Sequence, residues 1–176
     1  MSDTILKVTN VTKRFGGVCA LDNVNLELKK GEIHCLVGGN GSGKSTLIKI
    51  ISGFYKPDGG TVEIDGIRHT QKYSTMDAIA AGVQVIYQDM SVFPNLTVAE
   101  NIALTINKSE NKKLVNWKQV DEVAQQAFDK IGVQMPLHEL LEDMSVADKQ
   151  IVAIARAILY DAKLLIMDEP TTALTR

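Results

Sequence analysis

Four glycines fall within the six residues from Gly38 to Gly43 of "LVGGNGSGKSTLIK", and Lys44, Ser45 and Thr46 follow at once. Glycine weakens strands and helices alike, so packing does not ask for such a run. The spacing Gly38-x-x-x-x-Gly43-Lys44-Ser45 is that of a loop that wraps phosphate. Backbone N–H groups of Gly38, Gly39, Asn40, Gly41, Ser42 and Gly43 can close on phosphate oxygens only where no side chain intervenes. A helix starting directly after the loop adds unsatisfied donors and the positive end of its dipole. Lys44 then reaches the β- and γ-phosphates, the Ser45 hydroxyl is a hard oxygen donor for Mg²⁺, and the Thr46 hydroxyl reaches an α-phosphate oxygen.

A second acidic stretch completes this chemistry. "LLIMDEP" ends an apolar run in Asp168 and Glu169. An acid at the carboxyl end of a buried strand faces the ligand side of an open α/β sheet. Asp168 is expected to hold Mg²⁺ or its water ligand, and Glu169 to take the proton of a water attacking the γ-phosphate. Gln88 closes another apolar run, "VQVIYQ". Its amide both donates and accepts, so it can touch Mg²⁺ and the attacking water together. Phe15, upstream in "KRFGGVCALD", either stacks on adenine or belongs to the core.

The elements that must position these groups follow from patterning. Alternation in "VNLELKKGE" predicts a half-buried strand ending at Lys30-Gly31, and "IHCLV" (Ile33 to Val37) reads as a buried strand that hides Cys35. Helical spacing of Leu47, Ile48 and Ile51 predicts a helix stopped by Gly53. A strand at Thr61 to Ile64 meets an Asp65-Gly66 hairpin turn. Ser74 and Gly82 bracket a short helix before the strand Val83 to Gln88. Between Phe93 and about Leu141 the pattern turns helical. Thr97 and Glu100 form a capping box, and Val120 to Ile131 show helical spacing with Gly132 as the stop. Ser145 caps a last helix, and Leu164 to Asp168 form an apolar strand.

The bulk numbers allow one domain with a real core in 176 residues. A net charge of −2 supplies no basic field, so no nucleic-acid partner is expected. The two cysteines form no metal or redox motif, and His34, His69 and His138 are scattered. No signal peptide opens the chain, and no uncharged apolar stretch nears the roughly 18 residues of a membrane helix.

In order and spacing these motifs resemble the ATP-binding cassette (ABC) ATPases over essentially the whole chain. Gly38 to Thr46 match the Walker A motif, Gln88 the Q-loop, Leu164 to Asp168 the Walker B motif and Glu169 the catalytic glutamate. "TTALT" begins the D-loop, and Phe15 sits at the A-loop. "MSVAD" (Met144 to Asp148) stands where the family has its LSGGQ-type signature. There Ser145 and the backbone of Val146, Ala147 and Asp148 would touch the γ-phosphate held by an opposing cassette. "FPNLTVAENI", "MDEPTTALT" and the signature are similar to those of monosaccharide-importer ATPases.

The resemblance implies an α/β fold: a RecA-like phosphate-loop core, an N-terminal antiparallel β part and a helical subdomain. Residues 1–91 would form the β part and loop core, 92–145 the helical part, and 146–176 the signature helix and Walker B strand. It implies ATP and Mg²⁺ as ligands and a second cassette, transmembrane permease subunits and, indirectly, a solute-binding protein as partners. The place is the cytoplasmic face of a cell membrane. The expected function is ATP hydrolysis driving import of a simple sugar. Alternatives are an ATP-dependent dimerisation module without useful hydrolysis, an importer ATPase for another solute, a soluble ABC machine and a phosphate-loop kinase. The last two lack support in any coiled-coil or basic insertion and in "MSVAD", respectively.

Two departures from the family carry expectations. Asp148 replaces the signature glutamine, and an added carboxylate repels a nearby phosphate, so that composite site is expected to be the weaker one. No residue matches the family's switch histidine, and the chain is expected to be the N-terminal cassette of a longer protein, with low turnover and marginal folding by itself.

Overall fold

The structure is a computed structural model that describes residues 3–69, 73–87, 92–104 and 116–168. It divides into two compact units, Met1–Gln84 with Lys163–Ile166 and Val85–Ala162 with Met167–Arg176.

The first unit is built on a four-stranded antiparallel sheet. β1 (Thr4–Phe15) and β2 (Val18–Lys29) form a long hairpin, and β3 (Gly59–Ile64) and β4 (Ile67–His69) a short one, in the order β2-β1-β3-β4. Alternation drives this arrangement. Leu6, Val8 and Val11 of β1 and Val62 and Ile64 of β3 are all within 2% of complete burial, while Lys7 and Glu27 pair on the other face. Sequence alternation does not reveal β1, because Asn10 in β1 and its neighbour Asn23 in β2 take positive φ, and the pairing shifts register beside them. The Asp65-Gly66 turn has φ of 47° and 81°, the doubly left-handed geometry that Asp-Gly favours.

Helix α1 (Lys44–Ile51) buries Leu47, Ile48, Ile50 and Ile51. Gly53, at φ 71°, ends it as expected, and a Cβ there would strike the Ser74 carbonyl at 2.4 Å. Helix α2 (Thr75–Ala80) carries a capping box in which Ser74 and Asp77 satisfy each other's backbone N–H. The Tyr73 hydroxyl donates to Ile51 O at 2.8 Å and so ties the approach to α2 to the end of α1.

One expected strand is absent. Ile33 to Val37 form no strand among the described residues, and Ile33 and Val37 are 94% and 89% exposed. Cys35, expected to be buried, is exposed as well. An apolar run supplies side chains that tolerate burial, but only neighbouring strands provide ladder partners and cover, and no described strand pairs with this segment.

β5 (Val83–Ile86) and β6 (Leu164–Met167) make a separate two-stranded sheet. Bonds from Leu164 N–H to Gly82 O and from Asp168 N–H to Ile86 O advance along both strands together, so the pair is parallel. Lys163, just before β6, donates to Asp65 at 2.8 Å, and Lys30 reaches the same carboxylate at 2.8 Å.

The second unit is helical. α3 (Val98–Ala103) starts at the expected capping box of Thr97 and Glu100. α4 (Trp117–Ile131) starts at Asn116 and stops at left-handed Gly132. α5 (Val146–Leu159) follows a 3₁₀ turn at Leu141–Asp143. Ile102, Ala124, Phe128, Leu141, Val152 and Ala155 form its core, each with no measurable exposure. Buried Asn101 is fully used: it accepts from the Phe93 N–H at 2.8 Å and donates to the carbonyls of Phe93, Leu96 and Thr97. Among the described residues no helix is long and apolar enough to cross a membrane.

Hydrogen bonds from Lys163 and then Lys30 lower the Asp65 pKa from 3.8 to about 2. A carboxyl whose pKa is depressed by folding contributes stability that is present above its unfolded pKa and lost as pH falls through the folded one. Asp65→Asn is therefore expected to lower the melting temperature at neutral pH and to flatten its decline between about pH 4 and pH 2. An unaltered acid profile in a circular-dichroism melt series would contradict this role.

Candidate phosphate-binding site

The glycine loop leads into α1 through Gly43, which takes the N-cap position at φ 89° and offers no side-chain cap. Gly41 is also left-handed, at φ 79°. Successive N–H groups turned by such dihedrals converge on one side of the loop. The first turn of α1 has no acidic residue, so its free N–H groups and dipole meet no internal counter-charge.

Sterics explain which glycines are needed. A Cβ on Gly43 would stand 2.6 Å from Ala20 O and 2.8 Å from the Leu21 side chain, because β2 lies against the loop. A Cβ on Gly38 would meet the Ser42 hydroxyl at 2.6 Å. Gly39 and Gly41 face open space, so their freedom serves access rather than packing.

Lys44 bends back over the loop. Its ammonium donates to Gly38 O at 2.7 Å and Gly39 O at 2.9 Å, and it stands 3.4 Å from Ser42 Oγ. A positive charge is thus gathered onto the same short segment that presents the free N–H groups. Ser45 is exposed, Thr46 is half-buried, and neither hydroxyl has a hydrogen bond recorded among the described residues. Asn40 is exposed at the loop's tip.

The donor set fits a triphosphate and Mg²⁺. No group of three or more His, Cys, Asp or Glu side chains gathers among the described residues, which is the pattern for a strongly held structural ion. Mg²⁺ carried with phosphate needs only one or two protein oxygens and keeps waters for the rest. Ser45 Oγ is such an oxygen.

Phe15 ends β1 with 42% of its surface exposed, which removes the core alternative. Its ring meets Tyr55 edge-on, with centroids 5.2 Å apart. Tyr55 was not singled out from sequence. It is placed by the chain reversal at Gly53, a signal visible only once the end of α1 is known.

In the second unit, Asp168 follows β6 directly and is half-buried, with its N–H bonded to Ile86 O. Gln88 and Glu169 lie outside the described residues. Ser145 caps α5 as expected. Its hydroxyl accepts from Asp148 N–H at 3.2 Å and donates to Asp148 Oδ2 at 2.6 Å. The serine's single proton is therefore committed to Asp148. Val146 is exposed and Ala147 half-buried in the first turn.

Residues 21–172 match the family model described as ABC transporter. The chain belongs to the ABC transporter family. The cassette is 43% identical over 174 residues to the ribose import ATP-binding protein RbsA 2 of Burkholderia cenocepacia, covering 98% of this chain and 34% of that protein. It is 42% identical to a putative ribose/galactose/methyl galactoside import ATP-binding protein of Geobacillus kaustophilus, again covering 98% and 34%. The cassette thus spans about a third of the length of these curated relatives. Among solved structures it superposes on the ADP conformation of MJ1267, an ATP-binding cassette of an ABC transporter. There the TM-score is 0.83 and identity 28%, over 97% of this chain and 70% of that one. The fold is accordingly that of the ABC ATPases, a RecA-like α/β phosphate-loop core with an antiparallel β part and a helical part.

Gly43→Ala should place a methyl group against Ala20 O in a left-handed backbone, at a cost of about 1–3 kcal/mol. Urea unfolding measures this. A stability equal to that of the parent chain would show that β2 does not confine the loop.

Proposed function

We propose that the cassette binds and hydrolyses ATP to energise a membrane importer of a simple sugar or a related small polar solute. The observation that carries this reading is the loop Gly38–Thr46, with left-handed glycines, an acid-free helix start and the Lys44 ammonium over the loop carbonyls. The relatives named for ribose and galactose import support the solute class.

In this reading the backbone N–H groups from Gly38 to Gly43 hold the phosphate chain. Lys44 leaves the carbonyls of Gly38 and Gly39 for the β- and γ-phosphates, and Thr46 takes an α-phosphate oxygen. Ser45, Asp168 and Gln88 are the residues that would hold Mg²⁺, which neutralises charge on the phosphates when bound. Water attacks the γ-phosphorus in line, Glu169 takes its proton, and the bond to the ADP oxygen breaks. Lys44 stabilises the charge that develops, and Gln88 senses the γ-phosphate. Phe15 stacks on the adenine.

A second cassette, permease subunits and an indirectly coupled solute-binding protein are the proposed partners, and the inner face of the membrane is the proposed place. Phe93, 50% exposed and fixed by Asn101, is the proposed contact to the permease. Residues 1–91, 92–145 and 146–176 are the proposed functional divisions. Asp148 engages the Ser145 hydroxyl as a hydrogen-bond acceptor and adds negative charge at the start of α5, so the composite site served by this signature is the weaker of two.

Lys44→Ala is expected to weaken ATP binding by at least about tenfold without unfolding the chain, as loss of a charge-assisted phosphate contact does. Unchanged affinity in calorimetry would overturn the site. Asp148→Gln in the assembled transporter should raise ATP affinity or turnover, and no gain in either would count against the weak-site reading.

A further inference from the structure

Asp58, in the turn before β3, grips the end of β1 with both carboxylate oxygens. Oδ1 accepts from Lys13 Nζ at 2.9 Å, and Oδ2 accepts from the Arg14 backbone N–H at 2.7 Å. Its own N–H donates to Thr12 O at 2.9 Å. The Lys13 bond first, and the Arg14 N–H second, hold this carboxyl below its ordinary range.

The lysine caught in this way serves a neighbour. Lys13 lies two residues before Phe15 on β1, and the two side chains meet. The Lys13 side chain is only 15% exposed, and its ammonium stands over the Phe15 ring, 5.4 Å from the centre. That is within the reach of a cation–π attraction. Tyr55 meets the same ring at 64° between planes. Tyr55 is itself fixed: its N–H and that of Phe54 both donate to Lys49 O, at 2.9 and 2.8 Å. Phe54 and the Lys49 ammonium complete the cluster, 5.1 Å and 5.5 Å from the Tyr55 ring.

This arrangement does little for the core. Phe15 buries only part of its surface, yet it is held by a cation, by an aromatic edge and, through Lys13, by an ion pair. A ring fixed in advance binds a flat ligand with less ordering cost than a free one.

We propose that Lys13, gripped by Asp58, is a positioning residue that fixes the Phe15 ring as a stacking surface for a purine base, so that preference for ATP over bare triphosphate depends on the Lys13–Asp58 pair. The proposal rests on the reading of Phe15 as the base-stacking residue. It makes the selectivity for a base, as distinct from the grip on phosphate, a property of β1 and the turn before β3.

The test compares Mg²⁺-ATP with Mg²⁺-tripolyphosphate by calorimetry on the parent chain and on Lys13→Gln, Asp58→Asn, Lys13→Arg and Phe15→Ala. Lys13→Gln and Asp58→Asn are expected to weaken ATP about three- to tenfold and to leave tripolyphosphate within error of the parent. Lys13→Arg, which keeps a cation for both the ring and Asp58, restores ATP affinity. A general structural role predicts equal losses for both ligands, and that result, or no loss for ATP, overturns the proposal. Phe15→Ala binding ATP as tightly as the parent would overturn the stacking reading itself, a failure distinct from the first because it does not involve Lys13.

Discussion

The structure depends on a backbone left without side chains where it must meet negative charge. Folding normally pairs every buried N–H, and a helix start normally recruits Ser, Thr, Asp or Asn to satisfy its first turn. Helix α1 recruits none of these. Gly43 occupies its N-cap without a side-chain bond, and no acid lies in its first turn. α2, α3 and α5 contrast with it, since Ser74, Thr97 and Ser145 each cap their own helix. Of these four helices, α1 alone has no side chain bonded at its positive end.

The rest of the first unit can be understood as support for that exception. β2 places Ala20 and Leu21 so close to Gly43 that a Cβ there would clash with both. Gly53 and Tyr73 fix the far end of α1, against Ser74 and through the Ile51 carbonyl. Asp65 joins Lys30, just after β2, to Lys163, just before β6. Rigidity of this kind is what a phosphate cradle needs, because its donors must be placed before the ligand arrives rather than ordered by it. In the second unit the same physics is turned inward: Asp148 supplies the anion that the start of α5 would otherwise seek.

Much of this was legible in the sequence, for reasons that differ by element. Helix limits were readable because caps are local: Ser74, Thr97, Gly53 and Gly132 act on bonds within a turn or two of themselves. The phosphate loop was readable because its chemistry excludes most residue types. Ile33 to Val37 were misjudged because a buried strand is defined by partners distant in sequence, which a five-residue run does not contain. The long β1–β2 hairpin was only half seen, since the left-handed Asn10 and Asn23 break the two-residue period that identifies strands. Sequence places Phe15 beside the loop but not its surroundings, since the exposure of its ring and the contacts with Lys13 and Tyr55 come from residues brought together only by folding. The Ser145–Asp148 bond needed geometry, because sequence gives the charge of Asp148 but not where its carboxylate turns.

The central claim is that bare backbone between Gly38 and Lys44 receives phosphate. The most direct measurement is the amide ¹⁵N–¹H spectrum of the chain titrated with Mg²⁺-ATP. Large, saturable shifts concentrated on the amides of Gly39 to Thr46 are the predicted result. Saturable binding that leaves those amides unmoved while perturbing others would contradict the account.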